Sequence, residues 1–153
     1  MKYLVRNIIQ IYDQIYDQNR KGIFSSLKIL EIQAENREEA VLRARGILEK
    51  TIKVKHETIC TAVFEIENNY KLRKFKALVV YISKESKDGF AFKFNIEAPD
   101  YPEALKVALI EIPFLASNVK VFKSPEEIEA FLEDTRFALI EEEEGCLGQE
   151  QKN

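Results

Sequence analysis

Few residues in this chain are of a type and spacing that could do covalent chemistry. His56 is its one histidine. A histidine-based triad, a multi-histidine zinc site and a two-histidine iron site therefore cannot be built within one chain. His56 lies in Lys53-Val54-Lys55-His56-Glu57, with no neighbour identifiable as the partner that would orient it as a general base. The two cysteines are Cys60 and Cys146. Cys60, inside Ile59-Cys60-Thr61-Ala62-Val63, reads as a small buried hydrophobe. Cys146 follows the acidic run Glu141–Glu144, which disfavours the thiolate that reactivity requires. No P-loop, dinucleotide-binding glycine motif or nucleophile elbow occurs. The acidic run lacks the spaced oxygens and turn glycine of a calcium loop. These residues predict a non-enzymatic protein with no cofactor and no metal. An enzyme built on an unrecognised carboxylate pair ranks third among the functional expectations.

Two patterns point to binding instead. Lys71, Arg73, Lys74 and Lys76 form a basic stripe, which Lys53 and Lys55 are expected to join across a sheet. Such a stripe suits an anionic partner. Lysines on a strand also guard a sheet edge against aggregation. The segment Asp88-Gly89-Phe90-Ala91-Phe92-Lys93-Phe94 matches the aromatic strand of RNA-recognition domains at Gly89, Phe90, Ala91 and Phe92. In that motif the face opposite the stacking aromatics is apolar, because it packs on helices. Here the opposite face would be Ala91, Lys93 and Asn95. Phe90, Phe92 and Phe94 are therefore expected to point into the core.

The elements that must position these residues announce themselves through a repeat. Leu30-Glu-Ile32-Gln-Ala34-Glu-Asn36-Arg-Glu-Glu39-Ala40-Val-Leu-Arg-Ala44 returns as Phe94-Asn-Ile96-Glu-Ala98-Pro-Asp100-Tyr-Pro-Glu103-Ala104-Leu-Lys-Val-Ala108. Each copy reads as a strand running into a capped helix. Asn36 and Asp100 stand at the cap, and Glu39 and Glu103 follow three residues later. Ala40 and Ala44, and Ala104 and Ala108, would let each helix lie close on a sheet. Before the second copy, Lys74–Ser83 is apolar on both faces, Leu78, Val80 and Ile82 against Ala77, Val79 and Tyr81, which predicts a central strand. Asp88-Gly89 predicts the hairpin turn, since both residues tolerate positive φ.

The rest follows the same plan. Tyr3–Gln18 carries a stripe that fits either helix or strand; its place in the repeat predicts a strand. A turn is expected at Asn19–Gly22, a strand over Ile23–Ala34, and a returning strand between Ile52 and Ile66. Ala62, Phe64 and Ile66 should form the inner face of that strand. Pro113 should end the second helix, and Val119–Phe122 should return as a short strand. Ser124-Pro125-Glu126-Glu127 predicts a third helix over 125–134. Phe137–Ile140 reads as a last strand or an extension.

The predicted fold class is α+β, with an antiparallel or mixed sheet, two helices side by side on one face and a C-terminal helix. It is either ferredoxin-like or a tandem ββαβ repeat with pseudo-two-fold symmetry. One domain over 1–140 is expected, in repeats of about 1–67 and 68–123, with an acidic disordered tail over 141–153. A composition that is 46% hydrophobic is ample for a core in a chain of this size. The Ala-x-x-x-x-Glu-Ala-x-x-x-Ala phrase, with Lys53-Val54-Lys55 after its helix, resembles the ββαβ unit of the archaeal large-subunit ribosomal protein LX. The net charge of −3 departs from a ribosomal protein, so that function is not carried over.

Two cysteines, no signal-like N-terminus and no membrane-length apolar run predict a cytoplasmic protein. The function expected is binding or regulation through protein–protein contacts, with a protein partner or self-association at a free sheet edge or face. The alternative is a nucleic-acid-binding module using the basic stripe.

Overall fold

The computed structural model describes residues 1–13, 22–67, 71–120, 122 and 124–143. The chain forms β1 (Lys2–Asp13), β2 (Gly22–Gln33), α1 (Arg37–Thr51), β3 (His56–Glu65), β4 (Arg73–Ile82), β5 (Gly89–Ala98), α2 (Tyr101–Ala116), α3 (Pro125–Glu133) and β6 (Thr135–Glu141). Two three-stranded antiparallel sheets result, ordered β2-β1-β3 and β5-β4-β6. The fold is α+β. Its plan is ββαβ followed by ββααβ, compatible with a tandem repeat; a single ferredoxin-like sheet is not what these strands form. The segment 14–21 and the tail 144–153 lie outside the described residues, as does Cys146.

The repeat is legible in register. Tyr3 faces Ile32 and Glu65 in the first sheet; Phe75 faces Ile96 and Glu141 in the second. Each helix opens on its predicted cap. Asn36 Oδ1 accepts the Glu39 N–H at 2.8 Å, Asp100 Oδ1 the Glu103 N–H at 2.9 Å and Ser124 Oγ the Glu127 N–H at 3.3 Å. Each cap satisfies an otherwise orphaned donor, worth about 1 kcal/mol. Ala40, Ala44, Ala104 and Ala108 are fully buried, so each helix sits close on its own sheet.

The two helices are not side by side. Helix α1 packs on one face of the first sheet, over Tyr3, Val5, Ile32 and Ala34. Alternate residues of the same sheet, Leu4 and Phe64, belong to a second core with Ala104, Val107, Ala108 and Ile112 of α2. Helix α2 also touches all three strands of the second sheet. The layers therefore run α1, first sheet, α2, second sheet. At one end of the inner layer Phe131 of α3 lies 4.9 Å from Tyr81, 6.0 Å from Phe90 and 5.2 Å from Phe122, ring centre to ring centre.

Four expectations change. Helix α2 continues through Pro113 to Ala116. The bond that proline cannot donate would have gone to the carbonyl of Leu109, whose residue is 54% exposed, so water can serve it. Among the described residues of Val119–Phe122 no strand forms: Val119 lies in a turn, Lys120 in a bend and Phe122 outside regular structure. The returning strand is β6, and α3 lies within the second repeat rather than after it. At the β4–β5 hairpin the positive φ falls on Lys87, at 61°, not on Asp88 or Gly89. Gly89 is needed for a different reason, because a Cβ there would stand 2.2 Å from the Tyr81 carbonyl oxygen.

Candidate functional site

Two constellations stand out once the layers are in place, one sealed and one open. The sealed one joins the repeats. Arg6 on β1 and Glu111 on α2 are both fully buried. Arg6 Nε donates to Glu111 Oε1 at 2.9 Å and Arg6 Nη2 to Oε2 at 3.0 Å, a bidentate pair. Nη2 also donates to the Asn95 carbonyl of β5 at 3.1 Å. The β1–β3 register shifts between Arg6 and Asn7, leaving Thr61 bulged on β3, and a bulge re-aims its side chain. The Thr61 hydroxyl lies 3.0 Å from Glu111 Oε1 and 3.2 Å from the Arg6 carbonyl, with one proton to share between them. Among the described residues Arg6 Nη1 and Thr58 Oγ1 are buried without a hydrogen-bond partner. A pair so desolvated gives little net stability but penalises any other docking of α2 on this sheet.

The open constellation is the outer face of the second sheet. Strand β4 is central, as expected, yet only its Phe75, Ala77, Val79, Tyr81 face is buried. On the other face Leu78 is 37% exposed, Val80 44% and Ile82 56%, and Ile140 of β6 is 51% exposed. Ala91 and Ala138 beside them are exposed too. Register matches this face to the face of the first sheet that α2 covers. Leu4, Arg6 and Ile8 correspond to Lys76, Leu78 and Val80, and Phe64 to Ile140. The four residues on the first sheet are all buried.

Charge frames the open face. Leu78 stands opposite Lys93 on β5 and Ala138 on β6, and Val80 opposite Ala91 and Arg136. Lys93 and Arg136 are exposed. At one end Lys84 pairs with Asp134 at 3.6 Å beside a shallow depression of about 210 Å³ lined by Val80, Ile82 and Arg136. At the other, Lys76 pairs with Glu142 at 3.4 Å, in a depression of about 400 Å³ that also includes Lys74, Asn95 and Glu97.

The basic stripe is thus placed but not bare. Arg73 donates from Nε to Glu141 Oε2 at 2.7 Å and pairs again through Nη2 and Oε1. Hydrogen bonding from Arg73 holds the Glu141 carboxyl below its ordinary range, against the opposing effect of desolvation. Lys53 and Lys55 precede His56 at the start of β3, whereas Lys71 follows the end of that strand. Ten strand residues span about 33 Å, so the two lysine groups stand at opposite ends of β3. Phe90, Phe92 and Phe94 lie on the inner face, half-buried and stacked in a row.

The remaining reactive groups are quiet. His56 Nδ1 sits 2.7 Å from the Val54 carbonyl. Burial pushes the Cys60 thiol up, and the Ala62 carbonyl is its nearest partner at 3.8 Å. The acids lining a depression of about 220 Å³ between β3 and α2 include Asp100 and Glu103. Asp100 caps the helix and Glu103 pairs with Lys106 at 3.1 Å. Among the described residues no group of three metal-ligating side chains converges, and no helix is long and apolar enough to cross a membrane.

Sequence reasoning passed over Arg6, Glu111 and Thr61. A signal was present: Arg6 interrupts the apolar run Tyr3-Leu4-Val5, and Glu111 stands alone between Val107 and Ile112 in a helix with few other charges. No protein-family model, no curated protein and no solved structure matches the chain.

Proposed function

We propose that this is a non-enzymatic binding protein that works through protein–protein contacts on the outer face of its second sheet. One observation carries the reading. An apolar strip of Leu78, Val80, Ile82 and Ile140 faces solvent where the equivalent strip of the first repeat is sealed by a helix. Scattered exposed apolar residues need no explanation, but a contiguous strip rimmed by charge marks interaction sites. The nucleic-acid reading has less support, because Arg73 and Lys76 of its stripe are paired with Glu141 and Glu142.

The test is photo-crosslinking from the face itself. A photoreactive residue replacing Ile140 should yield a discrete crosslinked protein in extract of the native host. The same residue replacing Leu42, exposed on α1, should not. Equal yields from both positions, or a product that nuclease removes, contradict the proposal.

A further inference from the structure

Resting on that reading, we infer that the occupant of the open face is an amphipathic helix of a partner protein, lying along β4 with carboxylates on both flanks of its apolar stripe. The molecule contains its own precedent. Helix α2 lies on the equivalent face of the first sheet, over Leu4 and Phe64. It brings an acid, Glu111, to a cation borne by the central strand, Arg6. On the second sheet the central-strand position of Arg6 is taken by apolar Leu78, and Lys93 and Arg136 stand beside it on the outer strands.

Their spacing suits a helix. Lys93 on β5 and Arg136 on β6 flank the Leu78–Val80 pair from opposite sides. Two strand spacings separate them laterally by about 10 Å, close to the 10–12 Å width of a helix with its side chains. Neither is ion-paired among the described residues. Arg136 donates only to the Glu133 and Thr135 carbonyls. Across the face Lys74, Lys76, Lys93 and Arg136 outnumber Glu97 and Glu142, although the chain as a whole is acidic.

That excess argues against a second copy. Two such faces set together would oppose like charges. Helix α1 of another copy is no better, because its exposed charges are Arg37, Arg43, Arg45 and Lys50 against Glu38 and Glu49. The nine-residue α3 is acidic, but it buries Phe131 in its own core and exposes Leu132 alone among its large apolar residues, so it has no apolar stripe to offer. Complementary charge selects partners and suppresses wrong ones. The face therefore asks for an acidic helix.

The experiment uses the full chain, labelled for amide NMR, and two synthetic 16-residue helical peptides with the same leucine stripe. One has glutamates on both flanks, the other lysines. The acidic peptide should bind, with shifts centred on Leu78, Val80, Lys93, Arg136 and Ile140. Affinity should fall about tenfold or more in Lys93→Glu/Arg136→Glu, and the basic peptide should not bind. Equal binding of both peptides, no binding of the acidic one, or shifts elsewhere overturn the inference. Self-association abolished by Val80→Glu would overturn the helix occupant while leaving the face an interface. Salt-sensitive binding of single-stranded RNA, lost in the double charge variant, would overturn both this inference and the function proposed above.

Discussion

The two repeats share strand order, helix position and, apart from the bulge at Thr61, register, but they spend their second sheet faces differently. In the first repeat Leu4, Arg6, Ile8 and Phe64 are interior: Leu4 and Phe64 pack with α2, Arg6 pairs with its Glu111, and Ile8 is fully buried on the same face. In the second, Lys76, Leu78, Val80 and Ile140 face water. The helices differ to match. Helix α1 buries Ala40, Ala44 and Leu48 on one side only, whereas α2 buries Ala104, Val107, Ala108, Glu111, Ile112 and Ala116. A helix between two sheets needs apolar surface nearly all round, and a terminal helix needs a polar back. Among the described residues the stack is therefore finished at α1, as terminal units of stacked repeats are, and left open at the second sheet. Common architecture does not make the repeats functionally equivalent; the difference lies in what covers each sheet.

The largest way to break this comparison is to cut the joint between the repeats. Glu111→Ala leaves the Arg6 guanidinium buried without its carboxylate. It should cost about 3–5 kcal/mol, read from urea unfolding. The double variant Arg6→Met/Glu111→Leu should recover most of that loss, since well-packed apolar replacements of a buried pair are often neutral or better. A double variant as unstable as the single would show that the pair carries stability rather than docking specificity.

Next come two glycines, one in each repeat. At Gly89 an added Cβ meets backbone at 2.2 Å, while at Gly46 in α1 it meets nothing within 4 Å. Gly89→Ala should cost about 1–3 kcal/mol through overpacking in the hairpin. Gly46→Ala should gain about 0.5–1 kcal/mol by helix propensity. Thermal melts of the two variants should move in opposite directions; a shift of the same sign would contradict the packing described.

The smallest effect concerns the edge of the second sheet's covered face, where Glu141 stands opposite Phe75. Glu141 is held below its ordinary range by its hydrogen bond from Arg73. A depressed carboxylate contributes stability above its unfolded pKa and loses it as pH falls through the folded one. The group is exposed, so little global stability is at stake. Arg73→Gln should return the Glu141 titration toward the usual carboxylate range in an NMR pH series. An unchanged titration would place the cause elsewhere.

Much of the local structure could be read from residues. Asn36, Asp100 and Ser124 cap where their spacing with Glu39, Glu103 and Glu127 says they should. The phenylalanine row points inward because Lys93 and Asn95 cannot. The layering was not legible, because periodicity reports which face is apolar and not what covers it. The two apolar faces of β4 look like a strand buried twice, and only the three-dimensional arrangement shows that the second covering is absent from this chain's described residues. The closing strand was misplaced because the repeated phrase ends with the helix. Nothing in Val119–Phe122 says that α3 intervenes before β6. Glu111 was hidden by its type, since one acid on a helix reads as solvated until its neighbours on two sheets are known.

The central claim is that the same sheet face is interior in one repeat and open in the other. Its most direct test is a matched pair of substitutions at register-equivalent positions, Ile8→Lys and Val80→Lys, measured by equilibrium urea unfolding. Val80→Lys should leave stability within about 0.5 kcal/mol of the parent, as exposed substitutions do. Ile8→Lys should lose several kcal/mol or fail to fold, because an unpaired charge would be buried where Ile8 is fully enclosed. Comparable losses at the two positions would contradict the account.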